Sequence, residues 1–66
     1  MIKPWNEIIV GSIWRPNDGG KWRVKIVSVT KDLVVYEEIK SELVTQPRVL
    51  DREPFYFQVR YREDNE

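Results

Sequence analysis

Cysteine and histidine are both absent from the chain. Without cysteine there is no disulfide framework and no thiolate zinc site to supplement a small core. Without histidine the chain lacks the commonest general base at neutral pH, the usual transition-metal ligand and every histidine-based triad. No apolar run approaches the roughly 18 residues of a membrane span, and Met1-Ile2-Lys3-Pro4-Trp5-Asn6-Glu7 lacks the apolar segment of a signal peptide. The expectation is a soluble, cytoplasmic protein with no membrane partner. An excess of positive charge is missing too: eleven Lys/Arg meet eleven Asp/Glu, whereas nucleic-acid domains usually carry a clear surplus. At 66 residues a single domain spanning 1–66 is expected, and a chain of this size buries only about 60% of the surface it exposes when unfolded. Nearly every large apolar residue is needed for the core.

What is present reads as folded. Apolar residues make up 41% and charged residues 33%, with three Trp, three Tyr and two Phe. The charges are unevenly placed, net +3 over residues 1–36 and net −3 over 37–66, but the two halves of a small barrel interleave in space, so the asymmetry carries little weight.

Residues 8–15 read as a first strand interrupted by Gly11, where a bulge is expected. Pro16-Asn17-Asp18-Gly19-Gly20 then turns the chain: Asn17 and Asp18 can bond their own backbone, and the glycines tolerate positive φ. From Lys21 to Thr30 one face is apolar through Trp22, Val24 and Ile26, after which the other face becomes apolar. That switch predicts a bulge or strong twist. Residues 33–38, Leu-Val-Val-Tyr-Glu-Glu, form a third strand. Residues 37–44 carry Ile39 and Leu43 at helical spacing, but Val44, Thr45 and Pro47 favour a hairpin turning near Lys40-Ser41. A short 3₁₀ turn is expected between Val49 and Pro54. A last strand follows, with Phe55, Phe57, Val59 and Tyr61 inward and Tyr56, Gln58, Arg60 and Arg62 outward. Residues 1–6 read as an N-terminal arm and 63–66 as a frayed acidic tail.

Short strands and tight turns at this length predict an all-β fold, a small five-stranded SH3-like antiparallel barrel with the last strand beside the first. The alternative is a twisted antiparallel sheet with one short helix near 37–44.

The strings Gly11-Ser12-Ile13-Trp14-Arg15, Gly19-Gly20-Lys21-Trp22-Arg23-Val24 and Leu33-Val34-Val35-Tyr36 together resemble small uncharacterised bacterial and bacteriophage proteins. Those open on a Gly-x-x-aromatic-Arg strand, turn on Gly and continue through aromatic-Arg-Val and Val-Val-Tyr. The same early pattern is similar to Tudor-type domains of SH3-like fold. The resemblance covers residues 11–36 and implies a small binding or accessory module of bacterial or phage origin, with no established activity. Beyond residue 36 it departs: the family's Arg-Pro-Leu segment, followed shortly by Phe, becomes Gln46-Pro47-Arg48-Val49-Leu50 followed by Phe55.

Catalysis finds little support. Glu37 and Glu38 are adjacent, but neighbours on a strand point to opposite faces and cannot share a proton; solubility of an edge strand accounts for them. Ser12, Ser28 and Ser41 lack an evident base. Asn17-Asp18-Gly19-Gly20 offers one carboxylate where a calcium loop needs a series. No catalytic residue, metal or cofactor is therefore expected. Eight aromatics in 66 residues cannot all be buried, and Trp5, Tyr56, Arg60 and Arg62 form the candidate protein interface, aromatic–arginine surfaces being typical interface anchors. The partner would be another protein or a second copy of the chain. The alternative is single-stranded nucleic acid, with Arg15, Lys21, Arg23 and Lys25 neutralising phosphates and Trp14 and Trp22 nearby to stack on bases. Against it, alternation sets Trp22 with Val24 and Ile26, bolting the hairpin to the core. The Tudor-like resemblance further implies a methylated-cation cage of Trp14, Trp22, Tyr36 and an added aromatic, for which a core role is the competing account.

Overall fold

Apolar and polar residues alternate along Arg23–Val29 and Val34–Ile39, and these two segments are the middle of the sheet. The computed structural model describes residues 2–39 and 48–64. Five strands, β1 (Ile13–Pro16), β2 (Arg23–Val29), β3 (Val34–Ile39), β4 (Arg48–Arg52) and β5 (Tyr61–Glu63), join a short helix α1 (Pro54–Arg60) and a 3₁₀ turn over Trp5–Glu7. Every strand pairing is antiparallel, in the order β4-β3-β2-β1-β5. The last strand lies beside the first, as expected, but the sheet is open, with β4 and β5 as its edges.

The expected bulge in β2 is present: the register with β3 shifts between Ile26 and Ser28. Before it Val24 and Ile26 point inward; after it Val29, opposite the buried Val34, takes over and packs on the core. The extra residue lets one strand give apolar side chains of different parity to the same interior.

The C-terminal third departs from expectation. Residues 48–52 form β4 rather than a 3₁₀ turn, and residues 54–60 form a helix rather than a strand. Pro54 occupies the first helical turn, where its missing N–H and fixed φ cost nothing, and Glu53 before it is extended, as a residue preceding proline prefers. Phe57 and Tyr61 are spaced both for a strand face and for one helical turn; both are buried, while Phe55 and Val59 are exposed. The described helix sits at residues 54–60; of the segment 37–44 where a helix was the alternative, residues 40–44 lie outside the described residues. Residues 37–39 belong to β3, and the turn expected at Lys40-Ser41 lies outside the described residues. Glu63 and Asp64, expected in a frayed tail, are held instead: Glu63 is in β5, and the Asp64 N–H donates to the Ile13 carbonyl at 3.1 Å.

The core is Ile8, Trp14, Val24, Ile26, Val34, Tyr36, Phe57 and Tyr61. Phe57 is its hub. Its ring lies 5.1 Å from Trp14 and 4.9 Å from both Tyr36 and Tyr61, so α1 packs on the inner face of the sheet. Two polar ties fix the helix there. The buried Gln58 side chain accepts from the Lys3 N–H (2.7 Å) and donates to the Lys3 carbonyl (2.8 Å), strapping the N-terminal arm to α1. Asn17, at the tip of the first hairpin, donates its backbone N–H to the Arg60 carbonyl and its side-chain amide to the Val59 carbonyl, both at 2.8 Å. Those carbonyls stand at the helix C-terminus and have no intrahelical donor. Both Asn17 and Asp18 were expected to bond their own turn; Asp18 does so, accepting from the Gly20 N–H, whereas the Asn17 side chain reaches the helix instead.

Candidate surfaces for binding

The two surfaces expected from sequence lie on opposite sides of the sheet, and the structure redistributes their members. Residues directly opposite one another in an antiparallel pair share a face, so the register assigns the outer face. Arg15 is opposite Arg62, and Ile13 is opposite Lys25. One residue further along the β1–β2 register, Arg15 comes beside Arg23, which in turn is opposite Ile39 on β3. Arg23, Arg15 and Arg62 therefore form one row across β2, β1 and β5, about 10 Å from end to end at ordinary strand spacing. The adjacent row holds Val49, Glu37, Lys25 and Ile13. Lys21 stands apart, exposed in the bend before β2.

Asp64 reaches two members of this row. Asp64 Oδ1 lies 3.1 Å from Arg23 Nε and 3.9 Å from Arg15 Nε. The sequence reading missed Asp64, because a terminal acid carries no signal of its fold-back onto the first strand. It also assigned Arg62 to the aromatic surface, whereas the register sets it in the basic row.

Neither tryptophan accompanies these cations. Trp14 is buried on the inner side with its indole N–H donating to Ser12 Oγ at 2.9 Å, and Trp22 packs edge-on against Tyr61 at 5.6 Å. Tyr36, the third ring of the implied cage, is 0% exposed. These rings close a core and leave no open cage between them.

The helix side carries the second surface. Trp5 is 41% exposed, Phe55 55% and Tyr56 57%. Trp5 and Phe55 line one shallow cleft, and Phe55 contacts Tyr56 edge-to-face at 5.5 Å. Phe55, which the strand reading placed inward, joins Trp5 to Tyr56. Arg60 follows Tyr56 by one helical turn and stays with this side.

Between the two surfaces lies a buried polar cluster that the sequence did not announce. Glu38, read as an edge-strand solubility residue, is only 6% exposed on the inner side of a central strand, opposite Val24. Arg52 Nε donates to the Tyr36 hydroxyl at 3.0 Å. Burial, a hydrogen bond with Tyr36 and the charge of Glu38 push the Tyr61 phenol well above the ordinary tyrosine range. Among the described residues no group of three or more His, Cys, Asp or Glu side chains converges as a metal site would require, and no helix is long and apolar enough to cross a membrane. No protein-family model, curated protein or solved structure matches the chain.

Proposed function

We propose that the chain is a small non-enzymatic binding module, built on an incompletely closed SH3-like barrel, that engages a protein partner or a second copy of itself. The SH3-like reading rests on strand order, with β5 beside β1 and the helix inserted between β4 and β5. The functional reading rests on the joined, exposed rings of Trp5, Phe55 and Tyr56, with Arg60 one turn away. Three adjacent large aromatics exposed on a marginal 66-residue domain withhold apolar area from a core that has little to spare, and aromatic and arginine side chains are enriched at interface centres.

The position of the rings also favours protein over single-stranded nucleic acid. Binding a strand without sequence preference combines cations with aromatic platforms, and here Trp14 and Trp22 lie on the inner side, away from Arg15, Arg23 and Lys25.

Sedimentation of the wild-type chain and its Tyr56→Ala and Trp5→Ala variants, together with capture on the immobilised chain, tests the proposal. A dimer or a retained partner that both variants lose is the expected result. A strict monomer that retains the same proteins as its variants overturns it.

A further inference from the structure

Three guanidinium groups side by side on adjacent strands are an unfavourable arrangement, since like charges directly opposite one another repel. Asp64 lies close to two of them, and among the described residues no carboxylate is recorded within ion-pair distance of Arg62. We infer that the row Arg23-Arg15-Arg62 is a docking surface for an acidic segment of a protein partner, whose carboxylates extend along the row and displace Asp64 from its inner end.

Three observations select that occupant. First, the anion the row already holds is a carboxylate, and Asp64 reaches it from just beyond β5, its backbone N–H donating to the Ile13 carbonyl. An incoming carboxylate takes over contacts that are built and oriented for it. Second, exposed aliphatic side chains adjoin the cations: Ile39 closes the arginine row, and in the next row Ile13 and Val49 stand at either end of the opposed pair Lys25 and Glu37. That mixture suits a segment alternating acidic and aliphatic side chains. Third, no aromatic ring among the described residues shares this face, so a nucleic-acid strand finds phosphate partners but nothing to stack on. The inference takes the class of its partner from the protein-binding reading but uses the opposite side of the sheet from Trp5, Phe55 and Tyr56.

The test is fluorescence anisotropy at low ionic strength with a labelled peptide alternating Glu and Leu, run beside an oligothymidylate and a Lys-Leu peptide of equal length. The Glu-Leu peptide is expected to bind and the Lys-Leu peptide not to. An Arg15→Ala/Arg62→Ala double variant should bind about tenfold more weakly, at a few-fold per exposed ion pair. Asp64→Asn should bind about threefold more tightly because the internal competitor is gone, whereas Asp51→Asn, the same charge change on β4, should change affinity far less. Circular dichroism confirms that each variant is folded. Tyr56→Ala separates the two readings. If it abolishes peptide binding while the arginine variant does not, the peptide uses the aromatic surface and the docking row is overturned. Tighter binding of oligothymidylate than of the peptide, or an Asp64→Asn effect no larger than that of Asp51→Asn, overturns it as well. Peptide binding that follows the arginines supports it even if the chain proves to be a monomer.

Discussion

Arg15 on β1 stands directly opposite Arg62 on β5, on the outer face, with Asp64 nearer to Arg23 than to Arg15. The pair brings like charges together on the shortest strand of the sheet. Arg62→Glu turns it into an opposite-charge pair and is expected to stabilise the fold by about 0.5–1 kcal/mol, raising the thermal midpoint by about 3–6 °C. Added salt should narrow the gap between variant and wild type, because it screens repulsion in one and attraction in the other. An unchanged or lower midpoint at low salt contradicts the repulsion.

Phe57 joins α1 to the sheet through contacts with Trp14, Tyr36 and Tyr61 and is 0% exposed. Phe57→Ala removes this hub and leaves a cavity, at a cost of about 3–5 kcal/mol. Small domains are stable by only about 5–15 kcal/mol, those of this size at the low end, so the variant should be largely unfolded well below the urea midpoint of the wild type. Phe55→Ala, one residue pair away but exposed, should change stability by no more than about 0.5 kcal/mol. Equal effects of the two substitutions would contradict the helical assignment and restore a strand.

The bulge in β2 was legible because its signature is a change of parity: apolar residues move from Trp22, Val24 and Ile26 to Val27 and Val29, and the extra residue brings Val29 to the same core as Val24 and Ile26 while Val27 stays exposed. The placement of β5 beside β1 followed from the need to cover edges in so short a chain. The helix was not legible by periodicity, because Phe57 and Tyr61 satisfy spacings of both kinds and tertiary packing decides between them. Pro54 was the available sign of a helix start. For the binding surfaces, side chains could be assigned from sequence only as far as the strands were. Arg62 entered the basic row through the β1–β5 register, and Phe55 joined Trp5 to Tyr56 only once residues 54–60 turned as a helix. Glu38 was misjudged because neighbouring strands, not local sequence, decide whether a strand is an edge.

Gln58 is buried and uses both ends of its amide on the backbone of Lys3, while Lys3 also pairs with Glu63. Gln58→Ala breaks both amide bonds and should cost about 1–3 kcal/mol. The loss should be local first. Amide exchange at Lys3 is expected to accelerate in the variant by more than exchange at Val24 or Tyr36, which sit in the central strands, and proteolysis should clip the N-terminal arm sooner. A uniform acceleration across the sheet would mean that the arm and the core open together, contrary to a clamp at Gln58.

Tyr61 makes stability depend on alkaline pH. Its phenol is held neutral by burial first, then by its hydrogen bond with Tyr36 and by the negative charge of Glu38, with Arg52 acting weakly in the other direction. The folded pKa is raised above the value of about 10 expected in the unfolded chain. The unfolded chain therefore releases this proton at lower pH than the native one. Stability from the neutral phenol is fully present below pH about 10 and is lost as pH rises beyond it towards the folded value. Urea midpoints measured from neutral pH upward should stay level with respect to this group and then fall. Tyr61→Phe should flatten that fall while lowering stability at neutral pH, since it keeps the ring that packs on Phe57 but removes the hydroxyl that meets Tyr36. If the alkaline slope is the same in wild type and variant, Tyr61 is not the group that sets it.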